Sequence, residues 1–317
     1  MKIAILDDYH GVAADYADWA SLGPQATVQV FREYLPDGPG RVAALQPFDV
    51  IVIMRERTPF PAELINALPA LKLLVTTGLR NNAIDMEACK ARGIVVSGAP
   101  GAPNAVNATA ELSWALILAL FKNLCTENQN MRQGQWQTGM PLPLKGKRLG
   151  VIGLGKLGSA VARVGRAFDM DVVAWSPNLT PERAEQGGAR YAGKQELFAT
   201  SDVVSVHLIL SASTRHVVDA ASIAAMKPTA FFVNTSRAGL VDQDALMDAL
   251  RNGRLAGAGL DVFPAEPLPP DDPVRQLRNV VLTPHLGYVS EDNFKAFYAN
   301  ALEAIKAWAA GSPLRVL

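Results

Sequence analysis

One six-residue segment limits what this chain can fold into more than any other. Gly153-Leu154-Gly155-Lys156-Leu157-Gly158 follows directly on an apolar run, Leu149–Ile152, and opens a second apolar stretch with helical spacing, Leu157–Phe168. Between a strand and a helix, three glycines at this spacing do three things. The first permits the tight turn, the second lets backbone approach a pyrophosphate, and the third lets the helix pack closely on the strand. The helix N-terminus then offers its N–H groups to the anion. The segment therefore predicts a dinucleotide site holding NAD or NADP at Gly153, Gly155, Lys156, Leu157 and Gly158.

The remaining chain alternates in the same way. Short apolar runs at Ile3–Leu6, Val28–Phe31, Val50–Met54, Leu73–Thr76 and Ile94–Val96 are separated by stretches of helical spacing such as Pro61–Leu68 and Ile84–Arg92. A second series runs through Arg148–Ile152, Val172–Trp175, Val203–Val206, Ala230–Val233, Ala256–Leu260 and Val280–Leu282. Strands that are apolar throughout, rather than alternately, belong to parallel sheets covered by helices on both faces. The expected class is α/β with two doubly wound parallel-sheet domains. Gly98–Pro103 reads as the linker between them, followed by a helix starting near Asn104. After the last strand, Ser290 is placed to cap a helix whose apolar positions Phe294, Phe297, Tyr298, Ala301, Leu302, Ile305 and Trp308 need a partner surface.

Charge excludes some partners. Thirty Lys+Arg balance thirty Asp+Glu, so nothing grips a nucleic-acid backbone or an anionic membrane. The run Leu112–Phe121 is far short of a membrane span. Two cysteines, Cys89 and Cys125, are too few for a disulfide framework and fit a cytoplasmic setting. The histidines fall in no metal-ligand spacing, so no metal is expected. The opening Met-Lys-Ile-Ala-Ile-Leu-Asp-Asp reads as a first strand, not a signal peptide.

An acid that bonds the ribose 2′-hydroxyl belongs at the end of the strand after the glycine turn, about 20 residues on. That place holds Trp175-Ser176-Pro177-Asn178; Asp169 and Asp171 fall at the wrong end of the strand, and Arg183 is seven residues past Ser176. Ser176 thus occupies the discriminating position without a carboxylate. The expectation is that both cofactors bind with modest discrimination, and preference between NAD and NADP stays open.

Three ionisable residues follow apolar strands: Arg237 in Val-Asn-Thr-Ser-Arg-Ala-Gly, Glu266 in Leu-Asp-Val-Phe-Pro-Ala-Glu-Pro, and His285 in Leu-Thr-Pro-His-Leu-Gly. Open α/β sheets bind ligands at such strand ends. A cation that grips a carboxylate and a proton donor active near neutral pH are what reduction of a 2-oxo acid needs.

With these segments in view, the chain resembles the D-isomer-specific 2-hydroxyacid dehydrogenase family from about Val75 to its end. The likeness rests on Thr-Ala-Glu-Leu (109–112), Arg132–Trp136, Leu144–Gly158, Asn234–Gly239, Leu260–Pro267 and Thr283–Gly287. It implies a D-2-hydroxy acid or 2-oxo acid as substrate, His285 as general acid and base, Glu266 as its partner and Arg237 as the residue orienting substrate. It implies that Asp261 meets the nicotinamide amide, and adds Thr109 and Thr235 to the cofactor side. It also implies a Rossmann domain over 104–285 and a smaller, discontinuous flavodoxin-like substrate domain over 1–103 plus 286–317. Helices near Asn104 and at the C-terminus would cross between them, and the Asn104–Phe121 helix would join a homodimer interface.

The chain departs from the family in two places. The substrate loop, usually Gly-x-Gly-x-Asp, reads Thr77-Gly78-Leu79-Arg80-Asn81-Asn82. Gly78 and Leu79 can still offer backbone N–H groups; Arg80 either meets a second acidic group on the substrate or points to water. Arg55 is read as a surface residue and Arg57 as substrate-side. After Val203–Val206, the usual His-x-Pro-Leu is His207-Leu208-Ile209-Leu210, and His207 is either a cofactor contact or a structural strand-end histidine. A competing reading, taken from a branch of the same family, is a nucleotide-sensing, corepressor-like binding protein. Glu266 argues against the formate dehydrogenase branch, which carries glutamine there.

Overall fold

The computed structural model describes residues 1–103 and 105–317; the expected helix start at Asn104 lies outside them. The chain divides into two compact units, Met1–Ala105 with Ser290–Leu317, and Val106–Val289.

In the first unit, five strands, β1 (Lys2–Ile5), β2 (Thr27–Val30), β3 (Val50–Ile53), β4 (Leu73–Thr77) and β5 (Val95–Ala99), form a wholly parallel sheet in the order β2-β1-β3-β4-β5. This is the flavodoxin-like order, whose switch point falls between β1 and β3. Alternate residues of each strand serve opposite faces. Ala4, Ile51, Ile53, Leu74 and Val96 join one buried cluster with Phe60, Leu64, Ile65 and Cys89. The C-terminal helix, Glu291–Ala309, packs on β4 and β5, which supplies a partner for its apolar stripe. The stripe is buried from Phe294 to Ile305, whereas Trp308 is only half-buried. Ser290 stands at the N-cap, but its side chain makes no capping hydrogen bond. The expected linker begins late, because Gly98 and Ala99 belong to β5, with the Gly98 N–H bonded to the Arg315 carbonyl at 2.9 Å.

The second unit has seven strands, β6 (Arg148–Ile152), β7 (Asp171–Trp175), β8 (Arg190–Tyr191), β9 (Val203–Val206), β10 (Phe231–Asn234), β11 (Gly257–Leu260) and β12 (Val280–Leu282), again all parallel, in the order β12-β11-β10-β9-β6-β7-β8. Counted from β6, this is the Rossmann order 3-2-1-4-5-6 with one strand added, and its switch point lies between β6 and β9. Leu149, Val151, Val203, Phe231 and Val233 face one core with Trp114, Ile117 and Phe121 of the helix Ala105–Phe121. Ile152, Val204, Val206 and Phe232 face the other. β8, two residues at the sheet edge, is too short to leave an apolar run and went unread in the sequence.

Candidate active site

The glycine turn sits at the switch point. Gly153 has φ +94°, its N–H bonds the Trp175 carbonyl at 2.8 Å, and a Cβ there would lie 2.8 Å from the His207 carbonyl oxygen. A Cβ on Gly158 would collide with the Gly153 carbonyl, so the helix Lys156–Ala167 approaches the turn only because residue 158 has no side chain. A Cβ on Gly155, by contrast, would meet no protein atom within 4 Å. Tight turn, close helix and an uncovered second glycine are what a pyrophosphate cradle requires, and the residues present fit a nicotinamide dinucleotide. Lys156 is exposed and Leu157 and Ser176 are half-buried around this turn.

His207 follows β9 and is buried, with its Nε2 2.8 Å from Ser205 Oγ. Its Nδ1 has no hydrogen-bond partner among the described residues, and burial pushes the imidazole down to about 3, so it is neutral.

At the other strand ends the structure brings Arg237, Glu266 and His285 into one site. His285 Nδ1 lies 2.6 Å from Glu266 Oε2, and Glu266 Oε1 accepts the Phe263 N–H at 2.9 Å. Burial pushes the Glu266 carboxyl up, but the bond from His285, the charges of His285 and Arg237, and the Phe263 N–H together hold it below the usual range. An ionised carboxylate only accepts, so Nδ1 carries a proton and Nε2 is the ring atom left for exchange with a substrate. Asn234 shapes the turn that presents Arg237: its Oδ1 accepts the Ser236 N–H and its Nδ2 donates to the Arg237 carbonyl, both at 3.0 Å. Arg237 Nη1 donates to the Ser236 carbonyl at 2.7 Å.

His285 itself is left-handed at φ +54°. Asp261, fully buried, holds that conformation in place. Its Oδ1 accepts the Thr283 hydroxyl and the Leu286 N–H, both at 2.7 Å, and its Oδ2 accepts the Gly287 N–H at 2.9 Å. Burial outweighs these bonds and raises the carboxyl above the usual range. The resemblance gives Asp261 to the nicotinamide amide; the 283–287 loop takes two bonds on Oδ1 and one on Oδ2, which leaves Oδ2 with further acceptor capacity. Thr109 and Thr235 also bond to neighbouring protein groups. Thr109 Oγ1 donates to the Gly287 carbonyl at 2.5 Å, and Thr235 Oγ1 is 2.8 Å from Ser113 Oγ, which also donates to the Thr109 carbonyl at 2.8 Å. The sequence reading missed Ser113. The signal was available, since residues 109 and 113 share one face of an otherwise apolar helix.

In the first unit the substrate-loop residues follow β3 and β4. Gly78 has φ +93°, but its N–H already donates to the Ala99 carbonyl at 2.5 Å, which corrects the expectation that it serves a carboxylate. Leu79 and Arg80 are exposed. Arg55 is not the surface residue expected. It is partly buried, its guanidinium fills the space a Cβ of Gly78 would need, and Asn81 Nδ2 holds its carbonyl at 2.6 Å. Arg57 spans the β1–β3 switch point: Nη1 donates to the Asp7 carbonyl at 2.9 Å and the guanidinium stacks 4.7 Å from the Tyr9 ring centre. Tyr9 donates to Asp7 Oδ1 at 3.1 Å and Thr58 to Oδ2 at 2.7 Å, while burial raises the Asp7 carboxyl above its ordinary value.

Comparison with known proteins decides the family. Residues 114–287 match the family described as D-isomer specific 2-hydroxyacid dehydrogenase, NAD binding domain, which is more than half of the chain. The chain belongs to that family. A glyoxylate reductase of Aeropyrum pernix is 36% identical over 258 residues, covering 78% of this chain and 76% of its own. A D-3-phosphoglycerate dehydrogenase of Archaeoglobus fulgidus is 35% identical over 288 residues, 90% of this chain but 53% of its own length, so the chain spans about half of that protein. The crystal structure of a phosphoglycerate oxidoreductase from Vibrio cholerae superposes with a TM-score of 0.91 at 37% identity, covering 98% of this chain and 100% of that one. The family member described here is therefore a 2-hydroxyacid dehydrogenase using NAD or NADP. The corepressor-like alternative gains no support from these relatives. Among the described residues no helix alone is long and apolar enough to cross a membrane.

Proposed function

We propose that the chain transfers hydride between a nicotinamide dinucleotide and a D-2-hydroxy/2-oxo acid, the second unit holding the cofactor. The observation that carries this reading is the 2.6 Å hydrogen bond that His285 Nδ1 donates to Glu266 Oε2, which leaves Nε2 for the reacting oxygen. When bound, the nicotinamide supplies hydride in reduction and accepts it in oxidation. His285 Nε2 delivers a proton to the carbonyl oxygen as the alcohol forms, and takes it back in the reverse direction. Glu266, held ionised, accepts the Nδ1 proton's hydrogen bond and so fixes the ring with Nε2 toward the substrate. Arg237 pairs with the substrate carboxylate and polarises the carbonyl. In the first unit, the Leu79 N–H, Arg57 and Arg80 are assigned to the anionic groups of the acid.

Asp261 orients His285 by holding the 283–287 loop, and Thr109, Thr235 and Ser113 brace the same loop and strand end. The deciding experiment is an absorbance assay at 340 nm with NADH and NADPH separately against glyoxylate, hydroxypyruvate, phosphohydroxypyruvate, oxaloacetate, pyruvate and phenylpyruvate. Oxidation that His285→Gln abolishes supports the assignment; a rate indifferent to that change rejects it.

A homodimer is part of the proposal. Leu124, Met131, Trp136 and Met140, between 57% and 90% exposed, fall in one 17-residue segment of the second unit, and grouped exposed apolar side chains mark interaction sites. A second copy covers this segment. Light scattering that returns the mass of one chain at micromolar concentration rejects the dimer. The unpaired thiols Cys89 and Cys125 suit a cytoplasmic setting.

A further inference from the structure

We propose that the turn after β7 takes a phosphate on the adenosine 2′-oxygen, so that NADP(H) is preferred over NAD(H). The inference rests on the dinucleotide site above and names which dinucleotide that site favours. In a Rossmann unit the residue after the second strand meets the adenosine ribose, and a carboxylate there bonds the 2′-hydroxyl and repels a 2′-phosphate. Here that residue is Ser176, half-buried and uncharged. It stands next to the glycine turn, because Ile152 pairs with Trp175 and the Gly153 N–H bonds the Trp175 carbonyl at 2.8 Å.

Removing a repulsion does not make a phosphate site; a cation must be held there. Arg183, seven residues past Ser176, is brought back to this turn. Its Nη1 donates to the Asn178 carbonyl at 2.9 Å, and the Leu179 N–H closes the turn onto the Ser176 carbonyl at 3.1 Å. The short helix carrying Arg183, Pro181–Gln186, is itself fixed to the glycine loop. The Gly187 N–H bonds the Arg183 carbonyl at 3.1 Å, and Gly187 packs so closely on Leu154 and Ser159 that a Cβ would not fit. Arg183 is exposed and tethered through Nη1 to the carbonyl of Asn178, two residues past Ser176 in the same turn.

The neighbouring acids point elsewhere. Glu182 is hydrogen-bonded to its own backbone N–H and to Thr180 at the helix start, and Glu185 lines a surface cavity with Arg166 and Arg190. A guanidinium bonding a phosphate oxygen in partly exposed surroundings favours the phosphorylated ligand by about tenfold.

Calorimetric titration of the full chain with ADP-ribose and with 2′-phospho-ADP-ribose tests this without any reaction. The wild type is expected to bind the 2′-phosphorylated ligand about tenfold more tightly, a ratio that shrinks in high salt. Arg183→Ala brings the two ligands within about twofold of each other, and Ser176→Asp reverses the preference by restoring the repelled carboxylate. Equal or tighter binding of ADP-ribose by the wild type, or a ratio unmoved in Arg183→Ala, overturns the proposal while leaving the dinucleotide site intact. Failure of both ligands to bind overturns the dinucleotide site, and this inference with it. Both positions are solvent-accessible, so thermal melting separates loss of the ratio from loss of the fold.

Discussion

The two units share one architecture, a parallel sheet with its chemistry at the carboxyl ends of the strands, yet they treat those ends differently. In the second unit the strand ends are tied inward. Asp261, Thr235 and His207 are all buried, and Asp261 and Thr235 spend their side chains on neighbouring protein groups. In the first unit the strand ends carry arginines. Arg55 lies against a glycine, Arg57 is stacked on Tyr9, and Arg80 is exposed. A proton donor must be held to a fraction of an ångström, and buried hydrogen bonds do that. A cation that captures an anion acts over a longer range and tolerates water around it. The difference separates residues whose loss ruins geometry from residues whose loss weakens capture.

The largest expected effect is on the proton donor. His285→Gln should lower kcat by about 10² to 10⁴, the usual worth of general acid–base assistance, with KM for the cofactor little changed. Steady-state kinetics with the best 2-oxo acid of the panel checks this, and an unchanged kcat removes His285 from the mechanism. Next comes the clamp behind it. Asp261→Ala leaves the Thr283 hydroxyl and the Leu286 and Gly287 N–H groups without their acceptor, which costs about 3 kcal/mol if each buried or part-buried donor loses roughly 1. Urea unfolding measures it. Since His285 is left-handed only while that loop is held, kcat should fall as well, and a variant as stable as wild type would show that the loop holds itself.

The buried histidine of the second unit gives a pH-dependent test. His207 is neutral in the fold at about 3, whereas an imidazole in the unfolded chain titrates near 6.5. Between those values the unfolded state binds the extra proton, so stability is intact above about 6.5 and is lost as pH falls. At pH 5 the loss from this one group is about 2 kcal/mol, 1.5 pH units at 1.36 kcal/mol each. His207→Asn should flatten the decline of unfolding free energy between pH 7 and 5 by that amount. Parallel slopes in the two proteins would show that the imidazole gains its proton without opening the fold.

How much of this was legible beforehand follows the same division. The strands of both sheets could be read because parallel strands buried on two faces are continuous apolar runs, and the glycine turn because each glycine answers a steric need that no other residue meets. Arg237, Glu266 and His285 stood out as charges directly after such runs. What stayed hidden was direction. The sequence shows Asp261 near the nicotinamide's expected place but not that both its oxygens turn toward the 283–287 loop. It shows Gly78 but not that its N–H is taken by Ala99. Nor does it show that Arg55, followed by Glu56 and Arg57, folds over a glycine twenty-three residues later. Those are long-range contacts of side chains and single N–H groups, and neither periodicity nor composition encodes them.

The smallest effect belongs to the first unit and completes the contrast. Arg57 is oriented by the Tyr9 ring and the Asp7 carbonyl, contacts that are partly exposed and so contribute little to stability. If its role is to capture an anionic group, Arg57→Ala should raise KM for the 2-oxo acid by about tenfold, the worth of one charge-assisted hydrogen bond, with kcat within about threefold of wild type. Unfolding free energy should move by less than about 1 kcal/mol, because the bond to the Asp7 carbonyl is only part-buried and the Arg57 side chain is partly exposed. Arg57→Lys should recover only part of the KM, since an ammonium keeps the charge but neither stacks on Tyr9 nor presents two parallel N–H groups. A fall in kcat matching the rise in KM would instead put Arg57 among the groups that act on the reacting carbonyl, and the contrast between a capturing unit and an orienting one would no longer hold.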